Sequence, residues 1–230
     1  MKKSPKVKGT QLSKEDFLHG RHDDLIVKAG LEHIMKRNPV EVRLAKRDEM
    51  IANAPPGEMI WVFGYGSLIW NPAFEYHEQR VGTLYGYHRQ FCFLSKVGRG
   101  TPENPGMMLG LDRGGACSGV VLGVRKEQAE DELTSVFMRE MTGQTYNAVW
   151  GKVRTKQGPV EAISFVANRN AENYVGRLPA EEIAKRIARG CGHLGPCSDY
   201  LFNTTEHLEE LGLKDPMMRD LCNLVERELS

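Results

Sequence analysis

Residues 59–70 are MIWVFGYGSLIW, an apolar run that ends abruptly in glycine, tyrosine, glycine and serine. Aromatic and β-branched residues in succession predict a buried strand. Gly64 and Gly66 contribute no side-chain packing and lose more backbone entropy than alanine, so they indicate a sharp turn or a close approach of backbone to a ligand. A loop of bare amides at the end of a rigid strand suits a negatively charged group.

The glycine turn does not match three well-known motifs that it superficially resembles. It lacks the G-x-S-x-G spacing of a hydrolase nucleophile elbow, and no lysine follows the glycines as in a phosphate-binding loop. A dinucleotide-binding fingerprint would need glycine at the position of Ile69. The alternative, taking the turn alone, is a purely structural strand end.

Composition limits the range of functions. The chain has 230 residues, with 31 Lys plus Arg against 30 Asp plus Glu, which corresponds to one or two domains without a charge bias toward nucleic acid or membrane surfaces. Mean hydropathy is −0.44, and no apolar run is long enough to span a bilayer. The basic start at residues 1–8 is followed by no apolar signal core, so we expect a cytoplasmic protein.

Cysteine usage favours free thiols over disulfides or metal ligands. The five cysteines are odd in number and form no C-x-x-C pair. Cys191, His193 and Cys197 could suggest a metal site, but their spacing is not that of a zinc knuckle and no second ligand pair lies nearby. We therefore predict a glycine- and proline-containing loop with buried thiols there, and no metal site.

The chain divides into a helical N-terminal extension, residues 1–56, and a main domain, residues 57–230. Ser13 followed by Asp16 is typical of a helix N-cap with an acidic first turn, and further apolar residues recur at helical spacing. A proline pair and a glycine at residues 55–57 then interrupt the pattern. The extension could pack on the main domain or cover a partner surface.

The main domain alternates strand-rich and helical segments. We predict one long strand, or two around Gly86, over residues 81–94, and separate strands over 107–111 and 118–124 joined by a tight turn at 112–115. A helix over 126–141, a hairpin over 146–167 and helices over 179–189, 198–211 and 216–229 follow. Antiparallel strands with intervening helices indicate an α+β fold built on a small barrel or a strongly curved sheet.

Glu140 is the principal candidate for acid–base chemistry. It lies at the end of the predicted helix, beside the apolar positions Leu133, Val136 and Phe137. A carboxylate beside an apolar face resists ionisation, so its pKa should rise, as a general base acting near neutral pH requires. The alternative is an ordinary helix-end glutamate paired with Arg139 or another cation.

Three motifs together resemble the ChaC family of glutathione-specific γ-glutamylcyclotransferases. They are VFGYGSLIW at residues 62–70, FMRE at 137–140 and SDYLF at 198–202, and they occur in the family's order. The resemblance covers about residues 59–229 and leaves the N-terminal extension outside it. It implies a small γ-glutamylcyclotransferase-like β-barrel with flanking helices and a cleft for a γ-glutamyl group.

The resemblance also implies roles for individual residues. Glu140 would be the catalytic acid and base, and the family's second acidic position falls on Asp131, where the shorter side chain departs from the pattern. The residues expected to bind the substrate are Val62, Phe63, Gly64, Tyr65, Gly66, Ser67, Leu68, Arg89 and Tyr200.

The reaction implied by the resemblance needs no enzyme nucleophile and no cofactor. In glutathione, the free α-amine of the γ-glutamyl residue can attack its own γ-carbonyl, giving 5-oxoproline and Cys-Gly. Ser67 is therefore expected to form hydrogen bonds rather than to act as a nucleophile. Two alternatives remain open: a cyclotransferase for other γ-glutamyl peptides or amines, and a non-catalytic module that binds glutathione. The oligomeric state is not predicted.

Overall fold

The structure is a computed structural model that describes residues 12–28, 30, 31, 33, 34 and 36–230. The basic start at residues 1–8 lies outside the described residues. The centre of the fold is a closed β-barrel in the order β1-β3-β2-β4-β5, closed by parallel pairing of β1 with β5. Its strands are β1 Met59–Gly64, β2 Glu78–Ser95, β3 Gly106–Arg125, β4 Tyr146–Thr155 and β5 Gly158–Ala167.

The predicted break between two strands at residues 112–115 is wrong, because β3 runs through it without interruption. Gly114 and Gly115 adopt left-handed backbone angles, φ +100° and +70°, opposite Gly86 at φ +86°. The pairing with β2 shifts there by one residue, so the glycines form a bulge in a continuous ladder. For residues 81–94, the prediction of one long strand that continues through Gly86 is confirmed.

Two layers of helices pack against the barrel. Helix α4, Ala129–Glu140, follows a short 3₁₀ turn at Lys126–Gln128 and packs through Leu133, Val136 and Phe137 against one face of β1. The C-terminal helices join the core on the other face of β1, where Phe63 lies. They are α5 Ala180–Arg189, α6 Cys197–Glu210 and α7 Pro216–Leu229, with the short strands β6 Cys191–Gly192 and β7 Gly195–Pro196 between α5 and α6.

Strand β1 is buried on both faces, which fixes the position of the turn that follows it. Val62 and Phe63 are fully buried in the two separate apolar clusters. Each such side chain contributes about 1.5–3 kcal/mol when it leaves water. The strand ends at Gly64, and a 3₁₀ turn begins at Ser67. The predicted change from buried strand to turn at these glycines is therefore confirmed.

In the described part of the N-terminal segment, the helices are α1 Lys14–Leu18, α2 Arg21–Lys28 and α3 Val40–Ala52. Ser13 caps α1 as predicted, and its hydroxyl accepts from the Asp16 amide at 3.2 Å while the Asp16 carboxylate accepts from the Ser13 amide at 2.9 Å. The division of the chain at residues 56 and 57 stays a prediction. Among the helices that the structure describes, none has the length and apolar composition needed to cross a membrane.

Candidate active site

The turn after β1 lies against a tyrosine of helix α6. At Gly66, a β-carbon would stand only 3.0 Å from the hydroxyl oxygen of Tyr200 and 3.6 Å from a methyl group of Leu109. Ile69 and Trp70 donate their amides back to the carbonyls of Gly66 and Ser67, which tightens the turn. Glycine is favoured here because any side chain would crowd the Tyr200 hydroxyl.

Glu140 ends helix α4 in a position shielded from water. Its side chain is 12% exposed, and burial raises the pKa of its carboxyl above the ordinary value. Arg139 stands 3.1 Å from the carboxylate and acts in the opposite direction, but the effect of burial is larger. The structure thus combines both sequence interpretations: the glutamate is paired with Arg139 and is also difficult to ionise.

Arg139 connects the catalytic candidate to the glycine turn. Its guanidinium donates to the Ser67 hydroxyl oxygen at 2.5 Å and to the Asn71 carbonyl at 2.6 Å. It also lies over the ring of Phe17, 5.6 Å from the centroid. One side chain therefore links helix α4, the turn after β1 and the N-terminal segment.

Three tyrosines surround the same space. The hydroxyl of Tyr65 donates to the carbonyl of Phe165 at 3.2 Å, and that of Tyr146 donates to the carbonyl of Leu109 at 2.7 Å. Burial raises the pKa of Tyr65, Tyr146 and Tyr200, and the nearby Glu140 carboxylate raises each further. These hydroxyls stay protonated at neutral pH and can serve as hydrogen-bond donors.

Two cavities meet at Glu140. The smaller, of about 20 Å³, has a volume suited to one water-sized or carboxylate-sized group. The larger is about 260 Å³. The smaller cavity is lined by Tyr65, Gly66, Ser67, Leu68, Leu109, Glu140, Tyr146 and Tyr200, and the larger one shares Ser67, Glu140, Tyr146 and Tyr200 with it.

Arg89 lies behind the turn and lines neither cavity. Its buried guanidinium donates to the carbonyls of Tyr65 and Ser118, each at 2.6 Å, and forms an ion pair with Asp215. Because these partners are all protein groups, the contacts hold the Tyr65 backbone in place rather than reach into the site.

The structure brings most of the sequence-predicted residues together. Tyr65 to Leu68, Glu140 and Tyr200 line the smaller cavity, whereas Val62, Phe63 and Gly64 belong to the strand that leads to it. Asp131 is exposed in the first turn of α4, at the opposite end of the helix from Glu140. Sequence reasoning missed Tyr146 and Leu109, which pairing within the barrel places opposite the turn.

No cluster of three or more histidine, cysteine, aspartate or glutamate side chains suited to a metal ion occurs among the residues that the structure describes. In particular, His193 and Cys197 join no such cluster. The prediction of buried thiols in this loop is right for Cys197, which is buried and accepts a hydrogen bond from the Met107 amide at 3.3 Å, and wrong for Cys191, which is exposed. The expected absence of a cofactor stays a prediction, because it follows from the reaction chemistry alone.

Comparisons with known proteins agree with this architecture. A family model described as ChaC-like protein matches residues 60–228. The chain is 39% identical over 191 residues to the glutathione-specific γ-glutamylcyclotransferase of Escherichia coli, with 83% of both chains covered, and 37% identical to γ-glutamylcyclotransferase 2-3 of Arabidopsis thaliana over 74% of this chain and 90% of that protein.

A crystal structure of a yeast γ-glutamylcyclotransferase specific to glutathione has the same fold, with a TM-score of 0.68 at 22% identity, over 75% of this chain and 97% of that one. The expected γ-glutamylcyclotransferase-like barrel with flanking helices is thereby confirmed. Because the family model and the E. coli relative both span most of this sequence, the chain belongs to the ChaC family.

Proposed function

We propose that this protein is a glutathione-specific γ-glutamylcyclotransferase that converts glutathione to 5-oxoproline and Cys-Gly. The observation that carries the proposal is the meeting of Glu140, with its raised pKa, and the Gly66 turn in one small cavity. The E. coli relative, named for this activity, supports the choice of glutathione.

Substrate binding begins at the turn. Gly66, Ser67 and Leu68 line a cavity sized for a carboxylate, and we assign their backbone amides to binding the α-carboxylate of the γ-glutamyl group. The protonated hydroxyl of Tyr200 lines the same cavity and can donate to that carboxylate or to the γ-carbonyl oxygen, whereas the Tyr65 hydroxyl donates to the Phe165 carbonyl. Holding both ends of the γ-glutamyl group bends the substrate into the shape of the five-membered product.

Proton transfer is assigned to Glu140. Its carboxylate takes a proton from the substrate's α-ammonium, and the freed amine attacks the γ-carbonyl carbon. As the new C–N bond forms, the attacking nitrogen gives up a second proton, and as the old amide C–N bond breaks, Glu140 delivers a proton to the departing cysteinyl nitrogen. The two protons lost by the attacking nitrogen balance the two gained by Cys-Gly, which leaves as an ammonium. Well-oriented intramolecular attack can account for about 7–11 kcal/mol of the barrier, so correct folding of the substrate is a large part of catalysis.

Arginines keep these groups in position. Arg139 binds Ser67 and Glu140 together, and Arg89 holds the carbonyl of Tyr65 from behind. Val62, Phe63 and Gly64 contribute as the rigid strand that supports the turn. We assign all five a positioning role rather than direct contact with the reacting atoms.

The reaction exchanges one amide bond for another within the substrate and transfers no electrons, so it calls for neither metal nor organic cofactor. We also propose a cytoplasmic location, because all five cysteines are free, as is typical of a reducing compartment where glutathione is abundant as a thiol.

A substrate comparison tests the proposal against its alternatives. Purified protein is incubated with glutathione, γ-glutamylalanine or γ-glutamyl-lysine, and 5-oxoproline is measured by mass spectrometry. We expect kcat/KM for glutathione to exceed the other values at least tenfold. Equal or greater turnover of another substrate would favour a broader cyclotransferase. Binding of glutathione without 5-oxoproline from any substrate would favour a non-catalytic module.

A further inference from the structure

The larger cavity beside Glu140 has no role in the chemistry described so far. It shares Ser67, Glu140, Tyr146 and Tyr200 with the smaller cavity, so the two are continuous at the proposed reaction centre. If the α-carboxylate of the γ-glutamyl group occupies the smaller cavity, the remainder of glutathione extends past the shared residues into the larger one. The inference drawn below about the larger cavity rests on the proposed function.

One wall of the larger cavity comes from the N-terminal extension, which the family model does not include. The extension contributes an apolar surface with one cation at its edge. These residues are Leu12, Phe17, His22, Ile26, Ile34 and Lys36.

The extension is fixed to the helix that carries Glu140. Arg43 of α3 is buried, forms an ion pair with Asp23 at 2.7 Å and donates to the Met138 carbonyl at 3.2 Å. The side-chain amide of Asn38 donates to the Met141 carbonyl at 3.0 Å. Because these carbonyls belong to the last turn of α4 and the residue that follows it, the apolar wall and the catalytic carboxylate share one rigid support.

The charges around the larger cavity favour an anion. His22 adds no charge at neutral pH, because burial lowers its pKa to about 4. The positive charge of Arg139 is paired with the Glu140 carboxylate. The ionisable side chains on the wall are the cations Lys36, Lys96, Arg99 and Arg139 and the anions Glu140 and Glu172.

Arg99 is the buried cation of this set. Its residue is 8% exposed, and its guanidinium donates to the Pro196 carbonyl at 3.1 Å, which leaves other donors of the fork for a ligand. Burial lowers the pKa of Arg99, and the positive charge of Arg139 lowers it further, whereas the nearby Asp199 carboxylate acts in the opposite direction. A ligand anion in the cavity that both arginines line would offset the cost of burial and the repulsion between the two cations. Lys36 is exposed, and its side chain reaches the same cavity.

Glutathione has a group that meets this requirement. The molecule ends in the glycyl carboxylate, which lies two residues beyond the γ-amide. In an extended chain the two groups are at most about 7 Å apart. We propose that the larger cavity binds the cysteinylglycine half of glutathione, with Arg99 and Lys36 binding the glycyl carboxylate and the N-terminal extension forming the apolar wall. The extension is then part of the substrate site and a determinant of specificity.

The test compares glutathione with its glycyl monoethyl ester, which lacks the negative charge at that end. Wild-type protein, Lys36→Met and Arg99→Gln are each assayed with both substrates by 5-oxoproline release, with thermal melts to verify folding. Lys46→Met is the matched control, because Lys46 pairs with Glu49 on α3 and does not line the cavity.

For the wild type we expect KM for the ester to be about tenfold higher than for glutathione, with little change in kcat. Lys36→Met should raise KM for glutathione several-fold and leave KM for the ester within twofold of the wild-type value. Lys46→Met should change neither. If Arg99→Gln fails to fold, the Lys36 variant and the ester still decide the outcome.

Equal wild-type KM values for glutathione and its ester would overturn the inference, as would an equal effect of Lys36→Met on both substrates. In either case 5-oxoproline release from glutathione would leave the proposed function standing. No 5-oxoproline from glutathione with the wild type would instead contradict the proposed function and this inference together.

Discussion

At the scale of single residues, the site depends on a carboxyl group that the fold makes difficult to ionise. Glu140 is buried enough for its pKa to rise although Arg139 stands 3.1 Å away. A general base gains from this arrangement because its proton affinity approaches that of the group it must deprotonate. The same burial costs stability whenever the carboxyl is ionised.

Replacing Glu140 with glutamine should therefore change how stability depends on pH. The folded chain keeps the Glu140 proton to higher pH than the unfolded chain, whose carboxyl titrates near 4.5. The wild type thus loses stability relative to Glu140→Gln as pH rises above that value. Thermal melts from pH 4 to pH 8 should show a melting temperature difference that grows in favour of the variant. A constant difference, or one that favours the wild type, would contradict the burial argument.

Gly66 is the second residue on which the account depends. A β-carbon there would stand 3.0 Å from the Tyr200 hydroxyl, and valine would also fill part of a cavity of about 20 Å³. We expect Gly66→Ala to raise KM for glutathione moderately and Gly66→Val to raise it at least tenfold. Steady-state kinetics, together with melts that confirm folding, provide the measurement. Unchanged KM and kcat in both variants would show that the turn does not bind substrate.

At the scale of structural elements, Arg139 makes the turn after β1 and the end of α4 act as one unit. Its bond to the Ser67 hydroxyl joins parts of the chain 72 residues apart. Because of this contact, Ser67 could act as a positioning group, and replacing Ser67 distinguishes that role from the role of a nucleophile.

Ser67→Ala should lower kcat for glutathione only about tenfold, which corresponds to the loss of one hydrogen bond to a charged group. Arg139 would keep its bond to the Asn71 carbonyl and its ion pair with Glu140. Ser67→Cys offers a comparison that retains a polar atom at the same position. If Ser67→Ala lost activity completely while remaining folded, a covalent role for the serine would have to be considered instead.

The elements also show where sequence interpretation succeeds and where it fails. Local patterns predicted β1, the Ser13 cap and the position of Glu140, because each depends on neighbours in sequence. The same reasoning placed a turn at Gly114 and Gly115, where β3 continues through a bulge. Left-handed glycines serve both turns and bulges, and only pairing with β2 distinguishes them.

At the scale of the whole molecule, barrel closure and the N-terminal extension form the walls of the two cavities. Tyr146 faces the turn because β4 pairs between β2 and β5, a long-range relation that no local motif records. Arg99 is likewise an ordinary loop residue in the sequence and a buried cation in the structure. The extension has helical signals of its own, but its place against α4 depends on contacts such as the one between Arg43 and the Met138 carbonyl.

The central claim is that the whole assembly closes the γ-glutamyl group of glutathione into a ring with Glu140 as acid and base. The direct test incubates wild type and Glu140→Gln with reduced glutathione, measures 5-oxoproline and Cys-Gly by mass spectrometry, and measures glutathione affinity by calorimetry. We predict equal amounts of the two products from the wild type, a rate about 10²- to 10⁴-fold lower from the variant, and similar affinity for both. Release of 5-oxoproline by Glu140→Gln at a rate near that of the wild type would contradict the account.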